Sequence, residues 1–499
     1  MNNFKVDRTG SQRLVHLDLK GAPPRISYFE KILPFIKNIG ATGILLEWED
    51  TFPYTKDVIP IGSLSDHAQT SGAPYSMEEA KQILTIAAAC DLIVIPLLQT
   101  FGHLEFVLKH ENWRSLREVE EFPSSICPSK SGTIQLITSL LEQMIEFHPS
   151  IQYIHLGGDE VWHMGMCSIC EKRIQTSQFG KSRLYLDHMS KIGHYVKENY
   201  PGLKIIVWDD MFRNIEVEIL QEYPSCNFFE LMIWNYLPSD SFHLNDGLWE
   251  KYNSVFSNLW IASAFKGATS SCQLIPVIKY HLSNHLAWLT ELEKNSKKIG
   301  NLRGIALTGW SRFDHFATFC ELLPCGIPSL CFCMATWISG GYSQDLEESV
   351  RKLLGSDCGT ISYLESSTVC LPKTNPQPTF PGWQIFVGIE MLMNLRTRYK
   401  NLINSDQLQT WFNTWQVLNS FTNPMQIKSL LLVVIELLGE MSTVKEHLKK
   451  YMEEVFFNHT LEEFFGTLMV PVEHHLNQMK TDIERQLSLG GRAREHMNL

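Results

Sequence analysis

The chain has 499 residues, of which 44% are hydrophobic, 11% aromatic and 19% charged. That much apolar and aromatic material excludes a disordered chain and requires a large buried core. Forty-three Lys and Arg against 54 Asp and Glu give a net charge of −11, which removes the global electrostatic case for nucleic acid.

The first stretch, MNNFKVDRTGSQR, lacks the apolar core of a signal peptide. Eight short apolar runs rich in β-branched residues then recur: Leu14–Leu19, Gly43–Glu47, Leu92–Leu97, Tyr153–Leu156, Lys204–Trp208, Leu231–Trp234, Val255–Ile261 and Gly304–Trp310. Between them lie segments with helical apolar spacing, such as Ile26–Ile39, Met77–Ala89, Ile134–Phe147 and Leu184–Tyr200. Pro34 is awkward inside the first, and Ser76 with Glu79 has capping-box spacing before the second. Strands alternating with helices imply parallel pairing through right-handed crossovers. Eight such units predict an α/β fold, a (β/α)8 TIM barrel over residues 1–340, with an open doubly wound sheet as the competing architecture. No G-x-G-x-x-G or G-x-x-x-x-G-K-[ST] motif follows a strand, so no nucleotide cofactor is predicted.

Residues 341–385 read as a connecting segment whose end, 366–385, is a linker holding Pro372, Pro376, Pro378 and Pro381. Beyond it, 386–499 form a C-terminal helical domain, with helical patterns over Trp383–Tyr399, Gln426–Met441 and Leu461–Arg485. The Leu430–Leu438 stripe reads as core, and the tail GGRAREHMNL as loose. The purest aliphatic run, Leu430 to Ile435, stops at Glu436, far short of the roughly 20 apolar residues of a membrane span. Twelve scattered cysteines without a leader predict reduced thiols in a cytoplasmic or nuclear protein, where the Asn458-His459-Thr460 sequon is silent.

In a barrel, catalytic residues sit at the C-terminal ends of strands. Here those ends bring Arg13, His16 and Asp18; Glu47-Trp48-Glu49-Asp50; Gln99 to Glu105; His155 to Glu160; Trp208-Asp209-Asp210; Trp234-Asn235-Tyr236; and Trp310 to Asp314. Carboxylates among tryptophans suit a sugar, whose apolar face stacks on indole while its hydroxyls meet carboxylates. Asp159 and Glu160 would point to opposite faces of a regular strand, but Gly157-Gly158 before them frees the backbone to aim both into one pocket. Like charges that close push their pKa values apart, which leaves one protonated near neutrality as a general acid needs.

His155-x-Gly157-Gly158-Asp159-Glu160 resembles the signature of the β-N-acetylhexosaminidases of glycoside hydrolase family 20, with looser matches in order over residues 10–325. The resemblance implies an exo-acting, retaining enzyme whose substrate supplies the nucleophile, an exception to the two-carboxylate scheme. Glu160 would be the general acid and then base. Asp159 would hold the 2-acetamido nitrogen while the acetamido carbonyl attacks the anomeric carbon, giving an oxazolinium. Arg13 would grip hydroxyls of the terminal sugar, His103 would stand near the catalytic pair, and Trp208, Trp234 and Trp310 would wall the site. His155 and Asp209 are further candidates. Two departures stand out. Phe265 occupies the seventh-strand stretch where the family carries a tyrosine, which leaves Tyr236 for that role. Arg312 replaces a carboxylate two residues after the last tryptophan, which leaves Asp314 for the 4- and 6-hydroxyls. The signal-free form is similar to the nucleocytoplasmic branch of the family, which implies a preference for N-acetylgalactosamine over N-acetylglucosamine. Its partners would be N-acetylhexosaminide glycoconjugates, with no cofactor, membrane or nucleic acid.

Two rival readings are a metal-dependent barrel hydrolase with His16, Asp18, His103 and Asp159 as ligands, and an inactive sugar-binding barrel. Chelators would inhibit the first and spare the hexosaminidase. The Cys167-x-x-Cys170 pair lacks a second Cys/His pair at ligand spacing and is not expected to open a helix after a thioredoxin-like strand, so no metal or redox centre is predicted. Trp48 and Trp288 read as core, and Cys320 and Cys325 as ordinary thiols. The C-terminal helices fit either a cap on the barrel or a homodimer interface.

Overall fold

A computed structural model describes residues 11–62, 73–355 and 378–492. The N-terminal stretch before Ser11, the linker prolines Pro372 and Pro376, and the end of the tail lie outside the described residues. The chain divides into two compact units, one ending at Pro381 and the other beginning at Gly382.

The first unit holds ten strands: β1 (Gln12–Asp18), β2 (Gly43–Glu47), β3 (Ile93–Leu97), β4 (Arg117–Val119), β5 (Phe122–Ile126), β6 (Tyr153–His155), β7 (Lys204–Trp208), β8 (Phe229–Trp234), β9 (Leu259–Lys266) and β10 (Leu302–Gly309). Eight of them close a parallel barrel in the order β1-β10-β9-β8-β7-β6-β3-β2, while β4 and β5 form an antiparallel hairpin outside it. This is a TIM barrel, and an open sheet is excluded by the closing pair β1–β10. The seventh barrel strand begins four residues later than Val255, because Val255 and Phe256 still bond back to Tyr252 and close the helix Leu248–Asn253. Val255 and Phe256 belong to the helix end, while Leu259, Trp260 and Ile261 of the same run lie in the strand.

The connecting helices bury one face each. Ile26–Asn38 retains Pro34 and packs Tyr28, Phe29, Ile32, Leu33 and Ile36 inward. Met77–Ala89 begins with the full reciprocal Ser76–Glu79 capping box. Thr133–Phe147 and Gly180–Asn199 follow the expected spans to within a few residues. Inside the barrel, Leu14, Leu45, Ile95, Ile206, Met232, Trp260 and Ala306 fill the lumen, and Trp208 lies above them with Trp234, Tyr236 and Trp310 packed against it. The core therefore ends in an aromatic floor at the C-terminal mouth. Trp48 and Trp288 are fully buried, as are Cys320 and Cys325.

In the connecting segment, Gln344–Leu353 is helical. The second unit is built on the long helices Trp383–Ile403, Pro424–Val455 and Val470–Leu489. On the middle one, Ile427, Leu430, Val434, Leu437, Met441, Val444, Leu448, Met452 and Val455 are buried, a spacing of three and four residues that makes one continuous apolar seam. The Leu430–Leu438 stripe is thus core on one side only, since Leu432 and Ile435 are exposed. The expected helix Leu461–Arg485 is two helices, Asn458–Leu468 and Val470–Leu489. The second has Pro471 in its first turn, where the missing N–H costs nothing.

Candidate active site

A cleft of about 250 Å³ opens at the C-terminal mouth of the barrel. It is lined by Lys20, Glu47, Gln99, His103, Asp159, Glu160, Trp208, Trp234, Tyr236, Gly267, Ala268, Trp310, Arg312 and Phe313. Its size sits near the roughly 300 Å³ lower end for ligand pockets, which matches one sugar ring better than a chain of them.

The backbone before the carboxylate pair explains their placement. After β6 the chain passes through Gly157 and Gly158 at φ 62° and 84°, and Glu160 itself sits at φ 42°. Three left-handed residues in four turn the alternation of a strand into a loop that presents Asp159 and Glu160 to one cleft. His103 is likewise left-handed at φ 50° and meets both carboxylates, its Nε2 lying 3.5 Å from Asp159 Oδ2 and 3.2 Å from Glu160 Oε2. Gly102 makes this approach possible, because a Cβ there would stand 2.2 Å from the Asp159 carbonyl oxygen.

Burial raises the Asp159 carboxyl to about 6, with the His103 cation pulling it down and Glu160 pushing it up. Burial alone would lower His103, but Asp159 and Glu160 outweigh it and hold the imidazole up at about 10. Asp210 is raised to about 7 by burial and by Asp159. It accepts the Glu160 backbone N–H at 3.0 Å and the Trp234 indole N–H at 3.2 Å, so it ties the acid loop to a wall of the cleft. Three buried polar atoms on cleft residues have no partner: Asp159 Oδ1, Gln99 Oε1 and Trp208 Nε1. Two acceptors and a donor left orphaned there await a ligand that carries both kinds of group.

The structure brings together Asp159, Glu160, His103, Trp208, Trp234, Tyr236 and Trp310. Tyr236 stacks at 5.2 Å from Trp234, and burial raises its phenol. Phe265 is fully buried behind Gly309 and Gly326, away from the cleft. Four expected residues do not reach the cleft lining. Arg13 sits at the opposite end of β1, donating to the carbonyls of Gly40 and Ser11. Five residues at about 3.3 Å each separate it from the mouth-side end of the strand. Asp209 is fully buried and holds Arg213 through both oxygens, along with the Trp234 N–H and the Tyr252 hydroxyl. Asp314 turns back to accept the N–H groups of Phe316 and Ala317. His155 lies beneath the floor, 4.4 Å from Trp208, accepting the Gly157 N–H.

Lys20, Glu47, Gln99, Arg312 and Asp210 were missed as site residues, although all but Asp210 line the cleft. Each lies at or within three residues of a strand end, the positional signal that points to them. Glu47 bonds His16 at 3.0 Å, and its carboxyl is raised by burial. Lys20 bonds Glu49 at 3.1 Å, and Glu49 also meets His315; against burial, these two cations hold Glu49 low. The proposed ligand set His16, Asp18, His103 and Asp159 does not converge, since His16 is taken by Glu47 and Asp18 by the backbone N–H groups of Lys20 and Ser311.

Residues 44–256 match the family described as glycosyl hydrolase family 20, catalytic domain. The chain is 35% identical to human hexosaminidase D over 474 residues, 94% of each sequence. It is 42% identical to bovine hexosaminidase D over 354 residues, 71% of this chain and 98% of that one. Among solved structures, the β-N-acetylhexosaminidase from Bacteroides fragilis superposes with a TM-score of 0.50 at 16% identity, over 69% of this chain and 70% of that one, a likeness of fold.

Proposed function

The chain belongs to glycosyl hydrolase family 20 and is a β-N-acetylhexosaminidase; from that premise we propose that it releases terminal N-acetylhexosamine with retention, using the substrate's own acetamido group as nucleophile. The observation that carries this reading is the orphaned Asp159 Oδ1, buried next to Glu160 in a cleft one sugar deep. A carboxylate oxygen held there without a donor suits the acetamido N–H. Accepting that hydrogen bond orients the carbonyl toward the anomeric carbon and stabilises positive charge as the oxazolinium forms. Glu160 protonates the leaving oxygen, and the same residue then takes a proton from the water that opens the ring. The His103 cation, shared by both carboxylates, keeps Asp159 ionised against the burial that opposes it. Tyr236 and the Trp208 indole N–H offer donors for the acetamido oxygen, and Trp310 and Trp234 supply the apolar walls.

N-acetylgalactosamine is the preferred sugar in this reading. Arg312 and Lys20 line the cleft where the resemblance implies a carboxylate for the 4- and 6-hydroxyls. Described cysteines such as Cys127, Cys226, Cys331 and Cys333 form no disulfide, in keeping with action in a reducing cytoplasm or nucleus, and no helix among the described residues is long and apolar enough to cross a membrane.

The test compares nitrophenyl β-glycosides of N-acetylgalactosamine, N-acetylglucosamine and galactose. Turnover of the two N-acetyl sugars alone, with the galacto form faster, is expected. Comparable cleavage of plain galactoside would require a protein nucleophile and would remove the role given to Asp159.

A further inference from the structure

Away from the cleft, three segments distant in sequence converge on a buried cluster of sulfur and oxygen. Glu118 comes from β4, Cys127 directly follows β5, and Cys167 and Cys170 open the helix Ser168–Gln175. Cys167 is the N-cap of that helix and its sulfur accepts the Cys170 N–H at 3.4 Å, but β6 has ended well before it at His155, so no strand leads into it in the thioredoxin manner. The pair's companions are not a second pair at ligand spacing: Cys127 and Glu118 arrive through the tertiary fold.

The four ligand atoms all lie within 4.8 Å of one another. Cys127 Sγ is 3.5 Å from both Cys167 Sγ and Cys170 Sγ, and Cys170 Sγ is 3.4 Å from Glu118 Oε2. A tetrahedral zinc with Zn–S bonds of about 2.3 Å has S–S edges of about 3.8 Å, so the two 3.5 Å sulfur pairs need a few tenths of an ångström of expansion. Cys127, Cys170 and Glu118 are buried, and a shell of donors surrounds them. The Ser129 hydroxyl lies 3.0 Å from Cys170 Sγ, and Arg173 donates to that hydroxyl at 2.7 Å. The helix N-terminus and the Arg173 guanidinium both favour the negative charge that three thiolates and a carboxylate carry.

We propose that Cys127, Cys167, Cys170 and Glu118 form a closed structural zinc site. Binding makes three Zn–S bonds and one Zn–O bond and releases the three thiol protons to solvent. Three soft thiolates in a four-coordinate set select zinc over harder cations. None of the four ligands lines the cleft, so the ion acts on position and not on the reacting atoms. What it positions is specific. The β4–β5 hairpin bonds the His103 loop through Leu104 N–H to the Ser124 carbonyl and Ile126 N–H to the Phe101 carbonyl, and it bonds the Glu160 loop through the Ser125 hydroxyl to the Trp162 carbonyl. Zinc joins that hairpin to the far end of the Glu160 loop at Cys167.

The full chain, purified after zinc supplementation and dialysed against metal-free buffer, is measured for bound metal by mass spectrometry. A single zinc per chain is expected, with cobalt replacing it to give thiolate-to-cobalt charge-transfer bands in the near ultraviolet. Cys127→Ser and Cys170→Ser lose the metal. Because either variant can fail to fold, Glu118→Gln and native-state thiol titration of the parent carry the test independently. E118Q is expected to weaken zinc by roughly 10-fold or more, and the three thiols become titratable only after metal removal. Retention of no zinc, three thiols titrating at once in the native chain, or a Cys127–Cys167 disulfide in their place would each overturn the site. E118Q binding zinc as tightly as the parent would overturn the carboxylate ligand.

Discussion

Asp159 and Glu160 share a cleft and a histidine, yet the proposed chemistry asks opposite things of them. Glu160→Gln should lower kcat on poor leaving groups by about 10²–10⁴-fold, the usual worth of a general acid, and lower it far less where the departing group needs no proton. Asp159→Asn should slow both kinds of substrate alike; equal, small effects of both changes would mean the wrong pair has been chosen. The pH profile separates them further. Burial raises Asp159 to about 6, so its carboxylate is present above that value and is lost as pH falls through it. The acid limb of kcat/KM should therefore lie near pH 6, well above the ordinary aspartate range. His103 pulls Asp159 down, so His103→Gln should move that limb to higher pH; a limb that stays in place would uncouple the two residues. At this scale the sequence was readable wherever a residue's place on its strand was. His103, Asp159, Glu160 and the tryptophans sit at strand ends and reach the cleft. Arg13 was read with His16 and Asp18 as part of the first strand's end, but it sits five residues upstream of that end.

The Asp159–Glu160 loop depends on a glycine outside it. Gly102→Ala places a Cβ 2.2 Å from the Asp159 carbonyl oxygen, a backbone atom that moves only with its whole loop. Overpacking of this kind costs about 1–3 kcal/mol. A displacement near 1 Å at the reacting groups costs about 100-fold in rate. Kinetics and denaturant unfolding on the same variant read both effects, and an unchanged kcat would show that the loop does not need the contact. The elements themselves were legible from periodicity and capping, as at Ser76–Glu79. β9 was begun too early because the apolar Val255-Phe256 at a helix end stands only Ser257 and Asn258 away from the strand. The surroundings of the Cys167-x-x-Cys170 pair were not legible for a different reason: Cys127 and Glu118 lie 40 and 49 residues upstream of Cys167, on a hairpin that the barrel's strand–helix rhythm does not announce.

At the scale of the whole chain, strand–helix alternation pointed to a closed barrel and left an open doubly wound sheet as its competitor; the β1–β10 pairing decides between them. The C-terminal unit was legible as helical, and its long central helix shows why. Nine buried residues at spacings of three and four form a single seam. Leu448→Ala within that seam should destabilise the unit by about 2–5 kcal/mol, seen as a lower denaturation midpoint of the C-terminal transition. A midpoint unchanged within error would mean that the seam does not hold the helices together. Side-chain networks were the least legible. The Lys20–Glu49–His315 chain joins three strand-end loops separated by up to 266 residues, and no local pattern encodes such a meeting.

The central claim is that the substrate supplies its own nucleophile while Asp159 guides it. The most direct measurement is kcat/KM along a series of one N-acetylgalactosaminide whose acetyl group carries none, one, two or three fluorines. Fluorine withdraws electron density from the acetamido carbonyl and leaves its bulk nearly unchanged. A steep, progressive fall across the series in the parent enzyme, flattened in Asp159→Asn, is the predicted result. A flat series in the parent would mean that the carbonyl does not attack, and the account of Asp159 would be contradicted.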